Sequence, residues 1–126
     1  MTIRTMKIED FEKIYDLWIH TEGMGLNTID DSRDGIAKYL LRNPNTCFVA
    51  EDNEKLIGVI MSGHDGRRGF IYHTTVRKEY RGQGVGKKLV DSALKALEAE
   101  GIHKVALVAF EKNVSGNAFW EKVGFT

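Results

Sequence analysis

Arg81-Gly82-Gln83-Gly84-Val85-Gly86 puts three glycines at alternate positions behind an Arg and a Gln, after an apolar strand-like run and at the head of a long amphipathic segment. Glycine lets backbone come close to a ligand and take positive φ without a Cβ penalty. The first turn of a helix leaves N–H groups unpaired at the positive end of its dipole. A strand-to-helix turn of this composition builds an anion site, and a phosphate fits there.

Spacing separates the phosphate-binding patterns. A Walker loop needs Gly, four residues, then Gly-Lys-Ser/Thr; here Arg81 stands where the first Gly belongs and Lys88 where the Ser/Thr belongs. A dinucleotide fingerprint needs G-x-G-x-x-G in an opening βαβ unit with an acidic residue about 20 residues on. This chain has G-x-G-x-G, more than halfway along its length. What remains is an Arg-x-x-Gly-x-Gly turn between a strand and a helix, with a plain solvated turn as the competing reading. Arg77, Lys78, Arg81, Lys87 and Lys88 crowd around it, although the chain as a whole balances 18 Lys and Arg against 18 Asp and Glu. A local basic patch suits a polyphosphate ligand better than a nucleic-acid duplex, which calls for a basic domain.

With 126 residues and 42% hydrophobic content, the chain is expected to form one domain, residues 1–126, around a single core. Its one cysteine, Cys47, lies in an apolar run and makes no internal disulfide, so a core thiol and a reducing, cytoplasmic compartment are expected. The N-terminus carries no apolar signal run, and no segment approaches the roughly 18 apolar residues of a membrane span. The expected partners exclude nucleic acid and membrane.

Residues 2–6 alternate and predict a first strand, β1. Phe11, Ile14, Tyr15 and Trp18 recur at helical spacing and predict α1 over residues 9–20. Asp31 or Ser32 caps α2, which turns Ile36, Tyr39 and Leu40 inward and stops before Asn43-Pro44-Asn45. Residues 47–51 (β2) and 56–62 (β3) are apolar runs split by Glu51-Asp52-Asn53-Glu54, a hairpin signal. Residues 63–69 form a polar turn before β4, residues 70–76. Past the glycines, Gly86, Leu89, Val90, Ala93 and Leu97 mark one face of α3, which ends at Gly101. Residues 105–110 (β5) are almost unbroken apolar sequence, the kind covered on both faces, and residues 113–123 predict α4. The order β α α β β β α β α predicts an α/β (α+β) fold, a three-layer sandwich.

A second motif follows near the end: Asn113-Val114-Ser115-Gly116, then Phe119-Trp120-Glu121-Lys122-Val123-Gly124-Phe125. With the Arg-x-x-Gly-x-Gly turn ahead of it and a β α α opening, the chain resembles the GNAT superfamily of N-acetyltransferases over nearly its full length. The stretch Gly63-His64-Asp65-Gly66-Arg67-Arg68-Gly69 looks like that of small bacterial members of unassigned substrate. The resemblance implies a mixed, mostly antiparallel sheet with β4 and β5 splayed apart around coenzyme A. It implies that Arg81, Gly82, Gln83, Gly84, Val85, Gly86 and Lys87 wrap the pyrophosphate and that the β4 edge from Thr74 to Val76 bonds the pantetheine amides. Asn113 and Trp120 would complete the cofactor contacts. The implied activity is direct transfer of an acetyl group from acetyl-CoA to an amine, either a small molecule or a peptide N-terminus or lysine, with the Val76 N–H as oxyanion donor.

Two departures from the family carry consequences. Trp120 stands where the family often has the Tyr that protonates the departing thiolate, and an indole N–H is no acid near neutral pH. Tyr72 on β4 is the expected substitute, although a Tyr at its ordinary pKa of about 10 needs help for that task. The family also continues past Gly-Phe with two more strands, whereas this sequence stops at Thr126. A shortened sequence is the expected explanation; a strand-exchanged homodimer is the alternative.

Candidates for the base are His73, His64, Glu79 and Glu111. His73 suits the work by its ordinary pKa of about 6.5, and strict alternation along β4 would let only one of Tyr72 and His73 face the reacting group. Asp65 beside His64 reads as turn chemistry, Arg67 and Arg68 as a solvated turn or an anchor for an acidic substrate, and no metal site is expected. Acceptor choice is expected from residues 21–33, where Thr21, Glu22, Asn27, Asp30 and Asp31 suggest a cationic or amine substrate, and from the turn before β4. The alternative functions are a non-catalytic acyl-CoA sensor and a nucleotide-binding regulator.

Overall fold

A computed structural model describes residues 1–21, 26 and 29–107. Among these residues five strands make one sheet in chain order: β1 (Thr2–Thr5), β2 (Phe48–Asp52), β3 (Lys55–His64), β4 (Gly69–Val76) and β5 (Val105–Leu107). The first four pair antiparallel, and β4 pairs with β5 in parallel. Helices α1 (Phe11–Ile19), α2 (Arg33–Arg42) and α3 (Val85–Ala99) cover the sheet. The expected α4, the remainder of β5 and the splay of β4 from β5 lie outside the described residues.

Local chemistry explains where the elements begin and end. A 3-10 turn over Ile8–Asp10 leads into α1, held by the Asp10 carboxylate, which accepts the Lys7 N–H at 2.9 Å. Of the two expected caps for α2, Ser32 serves: its Oγ accepts the Gly35 N–H at 3.1 Å. The β2–β3 hairpin closes through Asn53 and Glu54 at φ +50° and +67°, the left-handed pair whose twist matches the strands. At the end of α3, Gly101 takes φ +82° while its N–H bonds the Glu98 carbonyl at 2.9 Å.

The sheet separates two apolar clusters. On one face Ile14, Leu17 and Trp18 of α1 and Ile36 and Leu40 of α2 pack on Val49, Leu56, Val59 and Met61. On the other, Val85, Leu89, Val90 and Ala93 of α3 pack on Ala50, Ile57, Ile60 and Ile71. The layers are therefore α1/α2, sheet and α3, which is the expected sandwich with a core on each side rather than one. A Cβ on Gly58 of β3 would lie 3.0 Å from Leu89 and 3.3 Å from Val85, so the missing side chain is what lets the head of α3 seat on the sheet. Val105 and Leu107 of β5 are half-buried on the α3 face, but Ala106 on the other face is exposed. For the described part of β5, then, cover on both faces is not found: α1 and α2 reach as far as Tyr72 and His73 of β4, and Ala106 is left exposed.

Candidate active site

The glycine turn adopts the conformation its composition demands. Gly82 and Gly84 sit at φ +80° and +82°, and none of the described residues lies within 4 Å of where a Cβ would project from either. Gly84 is the residue before α3, and the first helical hydrogen bond runs from the Lys88 N–H to the Gly84 carbonyl at 3.1 Å. The amides of Val85, Gly86 and Lys87 therefore have no partner inside the helix. No acidic residue stands in that first turn to compete for them. Val85, not Gly86, begins the buried face of α3: its side chain is 3% exposed, so only its backbone can meet a ligand. Arg81 turns its Nε to the Val76 carbonyl at 3.1 Å, and Gln83 donates to the Glu79 carbonyl at 3.3 Å. Lys87 pairs with Asp91 on the exposed face of α3 at 3.6 Å. Arg77 is spoken for elsewhere, donating to the Leu56 carbonyl at 2.8 Å with Asp16 at 3.7 Å, and is a strut of the fold rather than part of a ligand patch.

The glycine turn meets the far end of β4, whose polarity follows from its ladder. Arg77 N–H donates to the Ile57 carbonyl at 2.8 Å. Bonded pairs alternate along an antiparallel ladder, so Thr75 pairs with Val59 in the same way. The N–H and C=O groups of Thr74 and Val76 therefore point away from β3, to the side on which Gly69 N–H bonds the Lys104 carbonyl at 2.8 Å ahead of β5. Arg81 occupies the Val76 carbonyl, and the Val76 N–H faces that edge.

Between these residues and the start of β4 the register slips. Ile71 pairs with Ser62 and Thr74 with Ile60, so Met61 faces both Tyr72 and His73 across a β-bulge. Strict alternation therefore fails, and the expectation that only one of the two could face a reacting group is corrected. Both side chains emerge on the α1/α2 face: Tyr72 lies edge-on to Tyr39 of α2 at 5.8 Å, and His73 lies edge-on to Trp18 of α1 at 4.8 Å. Tyr72 is 40% exposed. His73 is mostly buried, and its Nε2 is 2.8 Å from Oδ1 of Asp31, itself buried at the approach to α2. Asp31 was expected to lend negative charge to an acceptor-binding segment; it is engaged with His73 instead.

The other candidates fall away from this place. His64 accepts the Gly66 N–H on Nδ1 at 2.9 Å and meets Glu100 through Nε2 at 2.9 Å. Glu100 follows the last residue of α3 and Gly84 precedes its first, so the 15-residue helix puts about 22 Å between His64 and the glycine turn. Asp65 accepts the amides of Arg67 and Arg68 at 2.9 and 2.8 Å, a plain turn. Glu79 is exposed and held below the usual carboxylate range by a hydrogen bond to its own backbone, with Lys55 and Arg77 adding to it, which is the wrong direction for a base. Burial pushes the Cys47 thiol up to about 12, so it is no nucleophile. Among the described residues no group of three His, Cys, Asp or Glu side chains could share a metal ion, and no helix is long and apolar enough to cross a membrane. Glu22, Asn27, Glu111, Asn113 and Trp120 lie outside the described residues.

The Asp31–His73 contact was not foreseen, because its partners stand 42 residues apart and on different elements. The one available signal was Asp31 lying next to Ser32, where two cap formers compete and the loser is released for other work.

Residues 11–125 match the model of the acetyltransferase (GNAT) family. An acetyltransferase of Yersinia pestis (strain Pestoides F) is 33% identical over 125 residues, covering 99% of this chain and 87% of that protein. Among solved structures, Ard1 from Thermoplasma volcanium superposes with a TM-score of 0.85 at 21% identity, over 99% of this chain and 82% of that one. The PaiA N-acetyltransferase from Thermoplasma acidophilum, solved with coenzyme A, gives 0.85 at 21% identity, over 99% and 89%. Fold and relatives together define an acyltransferase. The chain belongs to the acetyltransferase (GNAT) family.

Proposed function

We propose that the protein transfers the acetyl group of acetyl-CoA to an amine by direct attack. The observation that carries this reading is the meeting of the acid-free head of α3, with its open Gly82-Gly84 turn, and the Thr74–Val76 edge of β4. The amides of Val85, Gly86 and Lys87, with Gly82, Gln83 and Gly84, would hold the diphosphate, and the absence of a Cβ at Gly82 and Gly84 supports its close approach to the backbone. The edge groups of Thr74 and Val76 would take the pantetheine amides, with Asn113 and Trp120 as further contacts. Bound there, the cofactor supplies an activated thioester carbonyl. The Val76 N–H is aimed at the edge where charge would develop on that oxygen, and Arg81 ties down the neighbouring carbonyl.

An amine at neutral pH arrives protonated and must lose that proton before attack. The bulge supports His73 as the group that takes it and Tyr72 as a donor to the thiolate, because it turns both toward the α1/α2 side, three and four residues before Val76. A small-molecule amine and a peptide N-terminus or lysine are both compatible with that half-exposed aromatic surface. Thiol release should be followed with acetyl-CoA against peptides, amino acids, polyamines and amino sugars, beside calorimetry with coenzyme A alone. Saturable coenzyme A binding with amine-dependent thiol release is expected. Folded protein that gives no binding heat with coenzyme A or acetyl-CoA overturns the proposal.

A further inference from the structure

We propose that Asp31 is a positioning residue for His73: it fixes the proton of the neutral imidazole on Nε2 and so reserves Nδ1 as the atom that accepts the amine proton. This rests on the reading of His73 as the base. A carboxylate only accepts, so at 2.8 Å the shared proton belongs to Nε2. The lone pair of the neutral ring then lies on Nδ1, which has no hydrogen-bond partner among the described residues, while the ring as a whole is tethered on one side by Asp31 and on another by the Trp18 indole.

Among the described residues, Asp31 is the charged group in contact with this ring. From α1 the neighbour is Trp18, whose buried indole N–H has no partner among the described residues, and the carboxylates of α1 are turned elsewhere, Asp16 toward Arg77 and His20 and Glu12 toward Arg33. From β3 the neighbours are Met61 and Val59. From β4 they are Tyr72 and Thr75, and from α2 Tyr39 stands behind Tyr72. R-NH3⁺ gives one proton to Nδ1; the neutral amine forms the C–N bond as the C–S bond breaks; the second proton shed by that nitrogen goes to the departing thiolate; and the imidazolium, facing the Asp31 carboxylate, returns its own proton to solvent.

Asp31 also sits in the segment between α1 and α2, one residue before the α2 cap. A Cβ on Gly35 would fall 2.4 Å from the carbonyl oxygens of Ile29 and Asp30, so the turn that presents Asp31 is folded tightly onto the head of α2. That close approach is what aims the carboxylate at β4.

The test joins kinetics to a readout that needs no turnover. In the protein labelled with ¹⁵N-histidine, the neutral His73 ring should show a protonated Nε2 and a bare Nδ1; a proton on Nδ1 overturns the proposal. Asp31→Asn should lower kcat by about 10- to 100-fold with little change in KM for acetyl-CoA. It should also move the acid limb of the kcat–pH profile to lower pH, because the imidazolium loses its counter-charge. An Asp31→Asn protein with wild-type kcat, pH profile and ring signature overturns the positioning role. His73→Gln is the second variant: full activity in it sinks the base assignment itself. Wild-type protein that turns over no amine instead sinks the acetyl-transfer reading, and the ring nitrogens still report whether Asp31 sets the tautomer.

Discussion

Asp10 shows how one side chain can tie three segments. Arg4 of β1 grips it bidentately at 2.7 and 2.9 Å and also pairs with Glu51 of β2, while the Lys7 amide bonds the same carboxylate. Burial pushes the Asp10 carboxyl up, and these partners more than reverse it, so it stays below the ordinary carboxylate range. A depressed folded value means stability that is complete above the unfolded pKa of about 4 and lost as pH falls through the folded one. Asp10→Asn should therefore cost about 1–3 kcal/mol at pH 7. The gap to wild type should close as pH falls through the folded value, as urea titrations at pH 7 and in acid would show; an equal gap at both assigns the loss to packing. Cys47 makes a second residue-level case. With its thiol pushed up to about 12 by burial, and donating to the Ser62 carbonyl at 3.2 Å, almost none is thiolate at pH 8. An aromatic disulfide reagent should label it only as fast as the protein unfolds, and stoichiometric labelling of the native state within seconds contradicts this.

At the scale of elements, the turn into α3 offers the sharpest substitution. Gly84→Ala places a Cβ on a residue at φ +82°, a strain of roughly 1–2 kcal/mol, in otherwise open space. Relief would come by rotating the amides at the helix head. Coenzyme A affinity by calorimetry should fall about tenfold, the equivalent of 1.4 kcal/mol, with the far-UV spectrum unchanged; unaltered affinity separates this turn from the diphosphate. The turn, helices α1 to α3 and the β2–β3 hairpin were legible in the sequence because each is written in neighbouring residues: glycine spacing, the Ser32 cap, apolar positions three and four apart. The β4 bulge was not. Nothing in Ile71-Tyr72-His73-Thr74 announces an extra residue, since a bulge is a property of the register with β3 and not of the strand alone. The Asp31–His73 pair was hidden for the same reason, as was the division of the core in two, which depends on where helices settle and not on their periodicity. The exposure of Ala106 in the described part of β5 was not legible either, because an apolar run records what a strand tolerates, not which helix reaches it.

For the molecule as a whole, the sheet acts as a wall between two separately packed layers. Ile14 belongs to one cluster and Leu89 to the other, each fully buried. Ile14→Val should cost about 0.5–1.5 kcal/mol and Leu89→Ala about 2–5. With no shared neighbours the double variant should lose the sum to within about 0.5 kcal/mol. A larger departure in denaturant melts would show that strain crosses the sheet. Such independence matters for activity, because the α3 layer carries the groups proposed to hold the cofactor and the α1/α2 layer those proposed to meet the amine.

The slipped register at Tyr72 and His73 has a practical consequence for anyone altering this protein. Two adjacent positions share one face there, yet the residues after them keep their own parity, so positions 72 and 73 form a cassette that can be altered without turning the Thr74–Val76 edge; under the proposed acetyl transfer, Tyr72 is the position to randomise for a change of acceptor, with His73 held as the base. Deleting either one would do the opposite, restoring ordinary pairing at the cost of the cassette itself.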